Sequence, residues 1–205
     1  MKSVLISINP KWCELIANGE KTLEVRKTRP KIKTPFKCYI YCTAGVGKNT
    51  FNVPVSAEKI ARHYAETGSM ECLNCPIGNQ KVIGEFVCDR VYQYSINDNL
   101  DGVDISTEDA VRMSCLTKRE LEAYEFSAEP KDFCLYMVGL YFWHISNLKI
   151  YDKPKELGKF RKSCGDLDCD TCPFFENTGE YAGCLKWEEL RLRRPPQSWC
   201  YVEEI

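Results

Sequence analysis

The sequence predicts an α+β fold in which short strands form a small mixed β-barrel with helices at its periphery. Strand-like segments are short and outnumber the helix-like ones. Residues 22–26 alternate polar and apolar side chains strictly, which is typical of a strand with one buried face. No internal repeat is visible. Because the strands are short and outnumber the helices, they must pair in a mixed or antiparallel sheet. A closed or partly closed barrel is the compact arrangement that fits these strands best.

The chain of 205 residues is expected to form a single domain with two additions, an insertion at about 44–80 and a cysteine-rich loop at about 161–185. Apolar residues make up 44% of the chain, which is enough for an ordinary core. The longest apolar runs, such as residues 140–143, are far too short to cross a bilayer. The brief apolar stretch at 4–8 is interpreted as a first strand rather than a signal peptide. We therefore expect a cytoplasmic protein without a membrane partner.

The first helix is predicted from the residues at its two ends. Asn9 can cap it, and Pro10 suits its first turn, where a missing N–H costs nothing. Asn18 and Gly19 form a normal carboxyl-terminal stop. In the strand that follows, the polar face carries Thr22, Glu24 and Arg26 together, because residues two apart in a strand point the same way.

The remaining elements follow from similar local signals. A helix is expected at about 56–66 inside the insertion, and another begins at Ser106 or Thr107. A third begins at Thr117, where Thr117 and Glu120 have the spacing of a capping box. Further strand character is predicted at 36–43, 81–94, 135–150 and 199–203.

The net charge is −1, so any contact with a nucleic acid must come from a local patch. One candidate patch lies between residues 20 and 37, where two carboxylates stand against seven cations: Lys21, Arg26, Lys27, Arg29, Lys31, Lys33 and Lys37. Such a run is often only a solvated strand and loop. It could also follow a phosphate backbone.

Thirteen cysteines are many for a chain of this length. The number is odd and no export signal is visible, which favours reduced thiols. Five cysteines in strand-like runs are predicted to be small core residues: Cys38, Cys42, Cys88, Cys134 and Cys200.

A second group of cysteines lies in a polar loop with the spacing of a metal site. Cys164, Cys169, Cys172 and Cys184 could enclose a structural zinc ion as four thiolates. Their first three spacings also resemble plant-type ferredoxin ligation. The alternative is a reduced loop without metal. A further pair, Cys72 and Cys75, could complete a site with this loop.

The segment from Gly19 to Arg26 fits the pattern G-x-K-x-x-E-x-R, with Lys21, Glu24 and Arg26 at its defined positions. This pattern resembles the signature of the ASCH family in the PUA-like superfamily, and the chain as a whole is similar to clostridial and phage ASCH proteins. The sequences VIGEF at 82–86, WHI at 143–145 and WCYV at 199–202 resemble core strands of that family. The resemblance covers most of residues 3–152 and the last ten residues.

The resemblance implies recognition of RNA or of a nucleotide-like ligand at the motif. Glu24 and Arg26 can hold one another in place, which leaves guanidinium donors for a phosphate or a base edge. Lys21 would add a mobile point charge, and the basic run from Lys27 to Lys37, with Lys27 and Arg29 as ligand contacts, would follow the backbone. The aromatic residues Trp12, Tyr39, Tyr41 and Trp143 could offer stacking surfaces.

The resemblance also leaves an enzymatic function open. Some small ASCH proteins resemble amidohydrolases that remove acyl groups from N4-acylcytidine with a lysine, a threonine and a glutamate. Lys21 matches the lysine, Glu24 stands where the threonine is expected, and Glu85 is a further catalytic candidate. A carboxylate beside Lys21 would raise the pKa of the lysine unless burial offsets the effect.

Overall fold

The computed structural model describes residues 2–44, 50–51, 65, 77–78, 80–95, 103–127, 139–163, 175–177, 182–184 and 187–204. The expected helix at 56–66 lies outside these residues except for position 65. No helix in the described ranges is long and apolar enough to span a membrane.

Thirteen strands occur in the described residues, most of them short. They are β1 (Ser3–Ile8), β2 (Leu23–Arg26), β3 (Phe36–Cys42), β4 (Thr50–Phe51), β5 (Ile77–Gly78), β6 (Lys81–Cys88), β7 (Val91–Tyr94), β8 (Leu140–His144), β9 (Ser146–Lys155), β10 (Phe160–Lys162), β11 (Phe175–Asn177), β12 (Ala182–Cys184) and β13 (Trp199–Glu204). The helices are α1 (Pro10–Ala17), α2 (Thr107–Ser114), α3 (Lys118–Phe126) and α4 (Trp187–Leu190), with a 3₁₀ turn at Leu157–Lys159.

Two sheets organise the chain. The larger has six strands in the order β10-β13-β1-β3-β6-β9, and the smaller has three in the order β2-β8-β7. In the larger sheet β1 and β3 are parallel and the other neighbours are antiparallel. Two short antiparallel strand pairs, β4-β5 and β11-β12, are separate from both sheets.

The core is built in layers around these sheets. One face of the larger sheet packs against α1 and against Trp143 and Ile145, which come from the end of the smaller sheet. The other face of the larger sheet buries a second cluster around Tyr39 and Phe160. The smaller sheet packs its own outer face, including Leu23, on α2 and α3.

The α+β class is confirmed, with the helices α1, α2 and α3 packed on faces of the sheets. The described strands form the two sheets given above, without hydrogen bonds that join them into one closed barrel. The continuous segment predicted at 81–94 divides at Asp89 and Arg90 into β6 and β7, which belong to different sheets.

Local signals located the helix ends correctly. The Asn9 side chain caps α1 by accepting from the Lys11 N–H, and Pro10 is its first residue. Ser106 caps α2, and Thr117 with Glu120 forms the predicted capping box of α3. Cys38, Cys42 and Cys88 are fully buried, as predicted for small core residues. Cys200 is partly buried, and Cys134 lies outside the described residues.

Candidate ligand-binding site

A pocket of about 360 Å³ opens beside β2. Three parts of the chain enclose it: the end of β1 with the start of α1, the motif segment, and the α2–α3 turn with α3. Its lining residues are Ser7, Ile8, Asn9, Trp12, Lys21, Glu24, Val25, Arg26, Leu116, Glu120 and Tyr124. All three charged positions of the G-x-K-x-x-E-x-R pattern are among them.

Strand β2 separates apolar from charged side chains by alternation. Leu23 and Val25 point into the cluster beneath α2 and α3. Glu24 and Arg26 therefore point to the opposite side, where the pocket lies. Glu24 is 6% exposed, so both faces of this strand are covered.

Lys21 is fixed in place. It is 3% exposed, and its Nζ donates to the backbone oxygen of Ser114 at 2.8 Å. The same nitrogen lies 3.6 Å from Glu24 Oε2 and 5.3 Å from the centre of the Trp12 ring. The prediction of a mobile point charge is therefore wrong, because α2 offers the ammonium a buried acceptor.

Burial and the neighbouring carboxylate act on Lys21 in opposite directions. Burial lowers the pKa of Lys21, and Glu24 raises it. Burial prevails, so the pKa of Lys21 lies below its ordinary value of 10.5. Lys21 therefore loses its proton more readily than an exposed lysine, and a larger fraction of it is the free amine at a given pH.

Glu24 and Arg26 form the paired group that the strand alternation predicts. Arg26 Nη2 lies 3.0 Å from Glu24 Oε1 and also donates to the backbone oxygen of Ser7 at 2.6 Å. Arg26 Nε is buried and has no hydrogen-bond partner among the described residues. A buried donor without a partner is costly. This nitrogen is closed to solvent, so a ligand acceptor would reach it after a shift of the Arg26 side chain.

Aromatic and acidic side chains complete the pocket wall. Burial raises the pKa of Tyr124, although the nearby Arg26 guanidinium opposes the shift. Glu120 accepts from the Thr117 N–H at 2.8 Å and is held by its capping box. Among its described residues the lining thus contains two cations, Lys21 and Arg26, and two carboxylates, Glu24 and Glu120, so their formal charges cancel.

The other predicted site residues lie outside this lining. Lys27 donates to Ser127 Oγ at 2.8 Å and lies 5.0 Å from the Tyr124 ring, at the pocket rim. Arg29 lies in a separate groove that is described below. Glu85 is on β6, where Lys37 and the Tyr151 hydroxyl bind its two oxygens.

Two further groups singled out from the sequence also have other positions. Thr22 is held by backbone hydrogen bonds to Met113 and Ile145 and does not line the pocket. Of the aromatic residues proposed for stacking, only Trp12 reaches the pocket. Tyr39, Tyr41 and Trp143 are buried in the core.

Sequence reasoning missed the contribution of Leu116, Glu120 and Tyr124. The capping box at Thr117 correctly predicts where α3 begins, but it does not indicate what α3 covers. Lys21 and its acceptor Ser114 are 93 residues apart, so no local pattern could link them.

The predicted zinc site remains a prediction. Cys164, Cys169 and Cys172, like Cys72 and Cys75, lie outside the described residues. Cys184 ends β12, and its backbone pairs with Phe175 of β11. No cluster of potential metal ligands occurs in the described part of the chain.

Comparison with solved structures identifies the fold. The chain is similar to an ASCH protein from Zymomonas mobilis, with a TM-score of 0.50, 16% identity and a match that covers 98% of this chain and 87% of that one. A tyrosine-to-phenylalanine variant of the Zymomonas mobilis protein gives 0.51, 16% identity and coverage of 99% and 91%. No protein-family model and no curated protein matches the sequence. At this identity the likeness establishes an ASCH fold, as the motif predicted, and does not establish an activity.

Proposed function

We propose that this chain, whose fold is that of ASCH proteins, binds RNA or a nucleotide-like ligand by holding one nucleobase in the pocket at Lys21, Glu24 and Arg26. The observation that supports this most strongly is the cluster of Lys21, Glu24 and Arg26 in the pocket wall, in which the buried Arg26 Nε has no hydrogen-bond partner among the described residues. The PUA-like barrel and a cytoplasmic location are parts of the same proposal.

The hydrogen-bonding capacity of the pocket favours a ligand with both donors and acceptors. A carboxylate offers about four lone-pair positions, and Lys21 and Arg26 are the ion-pair partners of Glu24 in the described part of the chain. Arg26 Nε supplies a free donor on the same side. Cytosine presents an exocyclic amine beside ring acceptors, and carboxylates accept from that amine in known base recognition.

The size, wall and charge of the pocket agree with a base rather than a phosphate. A volume of about 360 Å³ lies at the lower end of the range for small-ligand pockets. Trp12 and Tyr124 provide aromatic wall for a flat ring. Because two carboxylates balance the two cations, the pocket offers a polyanion little net attraction.

Calorimetric titration with cytidine tests the proposal. Wild-type protein is expected to bind cytidine, and Arg26→Ala is expected to weaken binding at least tenfold. Arg112→Ala is the matched control, because Arg112 is exposed, lies outside the described pocket lining and pairs with Asp109. Failure of the wild type to bind, or an equal loss in both variants, would contradict the proposal.

A second candidate function is amide hydrolysis of an N4-acylcytidine at the same site, and the lowered pKa of Lys21 favours it. A general base must be in its unprotonated form, and a lowered pKa increases the share of Lys21 in that form. Glu24 would then orient Lys21. Glu85 is not among the described lining residues of the pocket, so its catalytic role stays a prediction.

Incubation with N4-acetylcytidine separates hydrolysis from binding alone. Release of cytidine by the wild type and not by Lys21→Ala would establish the hydrolase. No release at high protein concentration, together with cytidine binding, would leave the pocket as a recognition site.

The structural zinc ion at Cys164, Cys169, Cys172 and Cys184 stays part of the proposal, and metal analysis of the purified protein tests it.

A further inference from the structure

The basic run between residues 20 and 37 does not form one patch. Lys21 and Arg26 lie in the pocket, Lys27 lies at its rim, and Lys37 pairs with Glu85. The remaining three cations of the run, Arg29, Lys31 and Lys33, line a separate groove.

This groove, which we call the basic groove, has a volume of about 630 Å³. Its lining is Arg29, Pro30, Lys31, Ile32, Lys33, Thr34, Arg90 and Val91. The loop after β2 forms one side, and the start of β7 forms the other. Arg90 is thus a fourth cation that the sequence run did not include.

The four cations of the basic groove are exposed and available. Arg29, Lys31, Lys33 and Arg90 make no ion pair with any residue that the structure describes. No carboxylate is among the described lining residues. Asp89 precedes Arg90 in the chain, but its carboxylate contacts His144 Nδ1 at 2.6 Å and forms no ion pair with Arg90.

The two arginines are supported by aromatic rings. The Arg90 guanidinium lies 4.6 Å from the centre of the Tyr92 ring, and that of Arg29 lies 5.9 Å from the Tyr141 ring. Stacking restricts a guanidinium while leaving its in-plane donors free. Planar donors held in this way suit the paired oxygens of a phosphate.

The loop that carries these cations is tied to the body of the protein. Trp199 Nε1 donates to Thr28 Oγ1 at 3.0 Å, and the Lys31 N–H donates to the Tyr201 hydroxyl at 2.7 Å. Pro30, between these two anchors, is buried. The cations therefore stand on an ordered support, which lowers the entropy lost when a ligand binds.

We propose that the basic groove binds consecutive phosphates of a single-stranded RNA whose base occupies the neighbouring pocket. Arg26 in the pocket and Arg29 in the groove are three residues apart, so their Cα atoms are at most about 11 Å from each other. The pocket has balanced charges, whereas the groove has four cations and no acid in its described lining. Base recognition and backbone attraction are thus divided between two adjacent surfaces.

The choice of RNA over another polyanion rests on the proposed function of the pocket. Several separate cations suit a ligand with a full charge at every repeat, which a phosphate backbone provides. An acidic peptide is the main competing partner, and the experiment below treats its binding as an outcome against the proposal.

The test uses a fluorescein-labelled oligocytidylate of twelve nucleotides and fluorescence anisotropy across a salt series. Each phosphate contact on a single strand contributes about −0.7 to the slope of log K against log salt. The triple variant Lys31→Ala, Lys33→Ala, Arg90→Ala should therefore lose about 2 from the slope and at least tenfold in affinity. Its affinity for cytidine should not change.

Lys153→Ala is the matched control. Lys153 is exposed and lies near the end of β9 that pairs with the start of β6. Arg90 follows the opposite end of β6, so Lys153 is a cation outside the basic groove. Circular dichroism and the urea midpoint show whether the triple variant is folded. A further variant, Arg90→Lys, keeps the positive charge and should retain most of the affinity for the oligonucleotide. If the triple variant fails to fold, the three single variants take its place, each expected to lose about 0.7 from the slope.

Three results would overturn the proposal: no binding of the oligonucleotide by the wild type, an unchanged salt slope in the triple variant, or displacement of the oligonucleotide by an equal concentration of poly-glutamate. Cytidine binding is measured separately on the same samples. A failure of the basic groove is therefore distinguishable from a failure of the pocket.

Discussion

At the residue scale, two opposing influences determine the protonation of Lys21. Burial lowers the pKa of Lys21 and Glu24 raises it, with burial the larger influence. Glu24→Gln removes the raising influence, so the pKa of Lys21 should fall further below 10.5. The lysine should then lose its proton at a lower pH than it does in the wild type.

NMR titration of lysine side chains measures this shift directly. The Lys21 signal is assigned by its absence in Lys21→Arg, and exposed lysines such as Lys153 serve as internal references. A Lys21 signal that titrates above the exposed lysines would show that the carboxylate, not burial, determines its protonation.

Also at the residue scale, the buried and the exposed ion pairs should differ in their contribution to stability. Glu24→Gln leaves Lys21 and Arg26 without a compensating charge in a buried position, which should lower the free energy of unfolding by about 3 kcal/mol. Lys37→Ala breaks a pair whose lysine is 44% exposed, and should cost less than about 1 kcal/mol. Urea unfolding of both variants checks the difference, and equal losses would contradict it.

The motif residues could be predicted from the sequence, but their surroundings could not. The alternation of β2 correctly placed Glu24 and Arg26 on one face. The acceptor that fixes Lys21 comes from the end of α2, and local patterns carry no information on that contact. The division of the basic run has the same cause, because packing rather than sequence order decides which cation reaches the pocket.

At the element scale, Gly84 shows why a strand interior holds a glycine. A Cβ at Gly84 would lie 2.5 Å from the Lys149 backbone oxygen of β9, and a backbone atom cannot move aside cheaply. Gly84→Ala should therefore lower the free energy of unfolding by about 2 kcal/mol, as overpacking typically does.

Gly158→Ala is the control for this prediction, because its Cβ would meet only Arg191 Nε at an ordinary 3.5 Å. Urea midpoints of the two variants are compared with the wild type. A Gly84→Ala protein as stable as Gly158→Ala would show that β6 and β9 are not packed as closely as described.

Elements were predictable where a short local signal defines them. The caps of α1, α2 and α3 were all visible in the sequence, since each needs only a polar side chain and a few neighbours. The break between β6 and β7 was not visible, because residues 81–94 keep strand character throughout. Tertiary pairing places the two strands in different sheets.

At the scale of the whole molecule, topology brings the site together. β1 lies between β3 and β13, so its end delivers Ser7 and Ile8 to the pocket beside α1. β2 belongs to the smaller sheet, whose outer face carries α2 and α3. The pocket forms between these units, from segments that are distant in the chain. This explains why the sequence predicted the ASCH fold and the motif but not the complete pocket.

The measurement that tests the central claim most directly is the relative affinity of wild-type protein for cytidine and uridine. Uridine presents an oxygen where cytidine presents an amine, so Glu24 should favour cytidine by about tenfold or more. The preference should largely disappear in Glu24→Gln, while Arg112→Ala should keep it. Equal affinity for the two nucleosides, or binding of neither, would contradict recognition of a base edge by Lys21, Glu24 and Arg26.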